Sequence, residues 1–136
     1  MTIRKSVLAA VVVGVASVAG LGAQLLYAQQ PGFKRVDLQK QDLSIPGREV
    51  VQVRGEFAPG SGVGRHTHPG DEITYVLEGS IVLEVDGRPP VTLKAGEVFF
   101  VPAGVVHAGR NTSGAPAAVI ASYVVEKGKP LATPVN

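Results

Sequence analysis

The sequence has no cysteine and no tryptophan, a single methionine, and only three histidines in 136 residues. Without cysteine there can be no disulfide, no thiolate metal site and no thiol nucleophile. Long helical runs are missing as well: no segment after residue 30 sustains a helical period with capping signals. Nor is there much net charge. Arg4 and Lys5 account for two of the 13 basic residues, so the 11 that remain balance the 11 acidic ones. That balance leaves no basic patch for nucleic acid or an anionic surface, and no nucleic-acid partner is expected. What the chain has in quantity is glycine, 17 residues, and proline, 10 residues. So many backbone punctuators in a length suited to one domain favour short strands joined by turns.

The first 28 residues have the three parts of a secretory signal. Arg4 and Lys5 form a positive start, residues 7–26 are apolar or small apart from Ser17 and Gln24, and Ala23 and Ala28 offer small residues for cleavage, with Ala28 preferred. The apolar stretch also approaches the roughly 20 residues that a spanning helix needs. An uncleaved N-terminal anchor helix is therefore the alternative to a signal peptide. Either way, positive charge ahead of the apolar stretch predicts export of the remaining chain, to a periplasmic or secreted location.

Residues 29–44 read as a polar extension in which VDLQKQDL (36–43) is a candidate edge strand before the Ile45-Pro46-Gly47 turn. Strand-like runs come next at 49–57, 72–79, 80–87, 91–96, 97–104, 105–111 and 117–127, separated by turn residues. Residues 127–136 read as a flexible tail containing proline. About eight short strands in some 90 residues predict an all-β sandwich or barrel, with a jelly roll as its closed form. No repeat and no second domain interrupts residues 45–126.

The histidines stand apart from this background. His66 and His68 are one residue apart, so in a strand they share a face and can converge on one point. Glu72 follows a bend at Pro69-Gly70 that could return its carboxylate there, and His107 lies in a later strand after Pro102-Ala103-Gly104. Three imidazoles and a carboxylate suit a first-row divalent ion with positions left open. An isolated H-x-H pair is weak evidence, since a histidine in a β-protein is more often a surface or hydrogen-bonded core residue. Here all three histidines of the chain fall into the pattern.

These residues carry a family resemblance. Gly60, His66, His68, Glu72 and Gly79 reproduce G-x5-H-x-H-x3,4-E-x6-G, and Gly96, Pro102, Gly104, His107 and Asn111 reproduce G-x5-P-x-G-x2-H-x3-N. These are the two motifs of the cupin superfamily, which the chain resembles in a single copy over residues 45–126. The resemblance implies a double-stranded β-helix, or jelly-roll barrel, preceded by the signal or anchor helix. It implies one divalent transition metal (Fe, Mn, Zn, Cu or Ni) inside, held by His66, His68, Glu72 and His107. Affinity order favours copper or zinc, so supply in the compartment helps decide the ion.

Strand alternation predicts the rest of the cavity. Thr74 and Val76 should face inward with Glu72, Val105 and Asn111 with His107, and Ile81, Leu83, Val85, Val51 and Val53 from other strands. Ile73, Tyr75 and Leu77 should face outward, an apolar set that suggests a homodimer. Tyr123 and Arg65 are the nearest candidates for a general base but read as structural or rim residues, and Glu72 is a candidate proton acceptor. Isomerases and epimerases position their own acid and base, and no such pair is evident. The resemblance then suggests a metal-dependent dioxygenase-like oxidoreductase acting on a small chelating molecule. A non-catalytic metal- or ligand-binding protein is the alternative.

Overall fold

The computed structural model describes residues 30–136; the expected signal or anchor segment, residues 1–28, lies outside the described residues. The described residues form ten strands and no helix. These are β1 (Phe33–Asp42), β2 (Arg48–Phe57), β3 (Gly62–Thr67), β4 (Gly70–Glu78), β5 (Ser80–Val85), β6 (Val91–Lys94), β7 (Val98–Val101), β8 (His107–Arg110), β9 (Ala117–Glu126) and β10 (Thr133–Pro134). They make two five-stranded antiparallel sheets, in the orders β1-β2-β9-β4-β7 and β10-β3-β8-β5-β6. The all-β expectation and the jelly-roll sandwich it implied are thus met.

Alternation decides which side of each strand is dry. Along β2, Glu49, Val51, Val53, Gly55 and Phe57 are buried while their neighbours are half-buried. Ten-residue pairing with β9, from Arg48 opposite Glu126 to Phe57 opposite Ala117, sets that face against the second sheet. The core draws on both sheets: Phe57, Val76, Ala117 and Val119 from one meet Val63 and Ile81 from the other. A second cluster joins Val51, Val53, Ala121 and Val125, with Tyr123 and Leu131 packed on it.

Two corners matter for the site. At Pro69-Gly70 the chain leaves β3 in one sheet and begins β4 in the other. It passes so close to β9 that a Cβ on Gly70 would lie 2.0 Å from the Val124 carbonyl oxygen, so no side chain fits. Gly79 makes the return crossing in one residue with φ +68°, a left-handed conformation that glycine adopts without steric cost.

Three expectations change. The edge strand begins three residues earlier than 36–43, at Phe33. Residues 127–136, read as a flexible tail, include β10, whose Thr133 and Pro134 pair with Thr67 and His66 of β3. Asn111 faces the loop before β9 rather than the cavity. It is buried, donates to the carbonyls of Phe57, Ala58 and Ala115, and accepts from Ser113. A side chain with two donors and two acceptor sites can tie three segments together, which explains its burial without a ligand.

Candidate metal centre

The four expected ligands converge inside the barrel, and all four are buried. His66 is the penultimate residue of β3 and stands directly opposite His107 of β8, so the ladder itself brings their rings to 4.2 Å between centroids. His68 lies just beyond β3. Glu72 comes from β4, hence from the opposite sheet. The bend at Gly70 brings the carboxylate to the histidines, as expected, by carrying the chain across the barrel to face them.

The donor atoms are close-set. His66 Nε2 lies 3.1 Å from His68 Nε2, and Glu72 Oε2 lies 3.0 Å from His68 Nε2 and 2.9 Å from His107 Nε2. All four donor atoms fall within 4.8 Å of one another. Separations near 3 Å are those of neighbouring donors around an ion bound at about 2.1 Å. Nitrogen and carboxylate donors, buried and converging, therefore fit a divalent first-row ion.

Orientation is set one layer out. Each histidine places Nδ1 against a backbone carbonyl: His66 on Gly64 at 2.7 Å, His107 on Val105 at 3.0 Å, and His68 on Leu131 at 2.6 Å. A carbonyl can only accept, so Nδ1 donates and Nε2 is left to face the centre. The Thr74 hydroxyl donates to Glu72 Oε1 at 2.8 Å, leaving Oε2 for the imidazoles.

The electrostatics of the four groups are coupled. Burial works to raise the Glu72 pKa, but hydrogen bonds from His107 and His68, with their charge, hold it well below the usual carboxylate range. Burial works to lower that of His107, yet its hydrogen bond and attraction to Glu72 raise it above the ordinary value. Burial and the neighbouring His107 charge depress His66 to about 4. Without an ion, Glu72 and His107 thus form the charged pair while His66 stays neutral.

A cavity of about 100 Å³ opens onto the cluster. Val53, Phe57, Ile81, Leu83 and Val119 supply apolar walls, and Thr74 faces inward as alternation required. Val51 and Val76 go into the packed core instead, and Val85 and Val105 are half-buried outside the lining. Arg65 is an exposed residue paired with Asp86 at 2.8 Å, away from the cavity. Tyr123, read as structural or rim, lines the cavity, with its ring 4.5 Å from that of His68. Arg35, Phe99 and Leu131 also line it and were not foreseen. Phe99 alternates inward between the exposed Val98 and Phe100, a signal present in the sequence. Arg35 lies in the segment that reads as a polar extension and Leu131 in the one that reads as a flexible tail, and nothing local marks either.

A small antiparallel barrel with an internal set of three imidazoles and one carboxylate is the class that fold and site define. The chain belongs to the cupin family: the family model described as "Cupin domain" matches residues 53–125. Germin-like protein 1-1 of Oryza sativa subsp. japonica is 43% identical over 90 residues, which cover 59% of this chain and 41% of the rice protein. The chain thus spans about two-fifths of the length of such curated relatives. Among solved structures, oxalate oxidase in complex with the substrate analogue glycolate aligns with a TM-score of 0.62 at 22% identity, over 88% of this chain and 68% of the other. The DMSP lyase DddQ from Ruegeria pomeroyi DSS-3 aligns with a TM-score of 0.64 at 22% identity, over 87% and 57%. At such identity these likenesses show the shared fold.

Proposed function

We propose that the chain is an exported metal-dependent cupin, an oxidoreductase of dioxygenase type acting on a small chelating organic substrate. The observation that carries this reading is a cluster of four candidate ligands in a cavity whose other lining residues, among the described residues, offer no acid–base pair. Apart from the ligands, the ionisable or hydroxyl side chains in the lining are Arg35, Thr74 and Tyr123. Arg35 is engaged by Asp37 at 2.7 Å and Thr74 by Glu72. A bound divalent ion would supply the electrophilic and redox-capable centre that the side chains lack.

The chain's own groups then bind and exclude. Phe57, Ile81, Leu83 and Val119 keep water from the reacting end, and Arg35 offers a guanidinium in the lining to an acidic substrate group. Glu72 holds protons weakly, so it serves first as a ligand. With an ion bound, it would act as a proton acceptor only toward a strongly acidic hydroxyl. A cavity of about 100 Å³ favours a substrate of few atoms, such as a hydroxy acid, enolate or catechol. The glycolate held by the structurally similar oxalate oxidase is of that size and chelating type.

The test is oxygen uptake by the iron- or manganese-loaded full-length chain with small hydroxy and oxo acids, catechols and, as oversized probes, flavonols. Uptake with a small chelator that disappears in His107→Ala supports the reading; no uptake with any compound overturns it. The same lack of an acid–base pair favours a second reading, a non-catalytic metal- or ligand-binding protein. Tight ligand uptake without oxygen consumption would establish that alternative. Export is checked by the N-terminus of protein recovered outside the cytoplasm: Gln29 means cleavage after Ala28, and an intact apolar segment means an anchor.

A further inference from the structure

His66 and His107 are oriented by carbonyls two residues earlier in the chain, Gly64 within β3 and Val105 just ahead of β8. That arrangement forms whenever β3 and β8 form. His68 is different. It lies past the end of β3, and the carbonyl that takes its Nδ1 proton belongs to Leu131, 63 residues away. Leu131 is itself held from three sides. Its side chain packs on the cluster of Val51, Val53, Ala121 and Val125. Thr133 and Pro134 pair with Thr67 and His66, and the Val135 amide donates to the Arg65 carbonyl at 3.0 Å. Leu131 and Ala132 also form part of the cavity wall.

We propose that residues 130–135 are a working part of the metal centre: the Leu131 carbonyl positions the His68 ring, and the site is complete only when this segment is docked. The proposal rests on the metal-binding reading for its purpose, but the positioning itself is a property of the metal-free chain. Without the Leu131 oxygen, the buried His68 ring has no carbonyl to hold Nδ1, and its remaining polar contacts, Glu72 and His66, are both made at Nε2. The ring is then free to turn away from the shared point. Partners of this kind typically change metal affinity by about 10- to 100-fold.

Three variants of the full-length chain test this. In the first, residues 130–135 are replaced by glycine and serine at the same length. In the second, Val135→Pro removes one anchoring amide and leaves the rest intact, which guards against a first variant that fails to fold. In the third, Leu131→Ala keeps the carbonyl and removes the side chain. Side-chain proton and nitrogen spectra of the metal-free protein should show three protected imidazole Nδ1–H signals in the unaltered chain; Leu131→Ala, which loses one anchor but keeps the carbonyl, should retain all three, with the His68 signal exchanging faster. The His68 signal alone should be lost in the Gly–Ser variant and exchange faster in Val135→Pro. Zn2+ affinity, by chelator competition, should fall about 10- to 100-fold in the Gly–Ser variant and less in Val135→Pro. A protected His68 signal with unchanged Zn2+ affinity in both anchoring variants overturns the proposal. Failure of the unaltered chain to take up Zn2+ counts against the metal reading alone, because the imidazole signals are read without metal.

Discussion

At the scale of single residues, the centre depends on groups that are not themselves candidate ligands. Thr74→Val keeps the shape of the side chain but leaves Glu72 Oε1 without the hydroxyl that donates to it at 2.8 Å. We expect about 1–3 kcal/mol of lost stability and a Zn2+ affinity lower by about tenfold or more, with Thr74→Ser restoring both. Thermal melts and chelator competition measure the two effects. The pH dependence of the metal-free protein comes from the same cluster. His66 is depressed from 6.5 to about 4, so the unfolded chain takes up its proton first and stability falls as pH drops below 6.5. That contribution amounts to about 3 kcal/mol. The Glu72 contribution is present above its ordinary 4.5 and is lost as pH falls through its lower folded value. His107 acts the other way: its raised value contributes stability below 6.5 that is lost as pH rises through the folded pKa. The melting temperature of the metal-free chain should therefore peak near pH 6.5 and decline on both sides. A steady rise on the alkaline side would show that His107 does not hold its proton in the fold. Zn2+ loading needs deprotonated ligands, so affinity should increase as pH rises through the His107 titration.

At the scale of elements, the crossing from β3 to β4 decides whether Glu72 meets the histidines. Gly70 lies against the β9 backbone, with 2.0 Å from its would-be Cβ to the Val124 oxygen and 2.6 Å to the Val125 Cα. Backbone cannot swing aside as a side chain can. Gly70→Ala should cost about 3 kcal/mol or more and displace Glu72, two residues on, so that Zn2+ affinity falls with the melting temperature. An unchanged affinity in a folded Gly70→Ala chain would mean that the crossing tolerates a shift without moving the carboxylate.

At the scale of the whole molecule, the two edges of the first sheet differ. The β1 edge carries Lys34, Arg35, Asp37 and Lys40, charges that discourage strand addition. At the other edge, Val98 and Phe100 of β7 are exposed and pair across to Tyr75 and Ile73 of β4, which are also exposed. With Leu77 they form one apolar patch. Patches of this kind mark association surfaces in soluble proteins, and this one supports the proposed homodimer. Sedimentation at micromolar concentration should give twice the chain mass, and Val98→Glu with Phe100→Glu should halve it while preserving the fold. A single-chain mass for the unaltered protein would overturn the dimer.

The all-β class and the four candidate ligands could be read from the residues themselves, because both depend on spacing along the chain. Alternation of period two reports which face of a strand is dry, and the His66-x-His68 pair, Glu72 and His107 stand at spacings that a family pattern shares. The same alternation put Thr74 inside, and it would have put Phe99 there too. Contacts made between distant segments left no such local trace. Only the tertiary structure placed Glu72 on the sheet opposite the histidines, turned Asn111 into a clamp on the β8–β9 loop, and brought Tyr123 and Arg35 to the cavity. It also returned residues 130–135 to β3, where the Leu131 carbonyl meets His68. A backbone carbonyl has no residue type, so no sequence pattern can announce which one will face an imidazole; the folded path of the chain alone decides it.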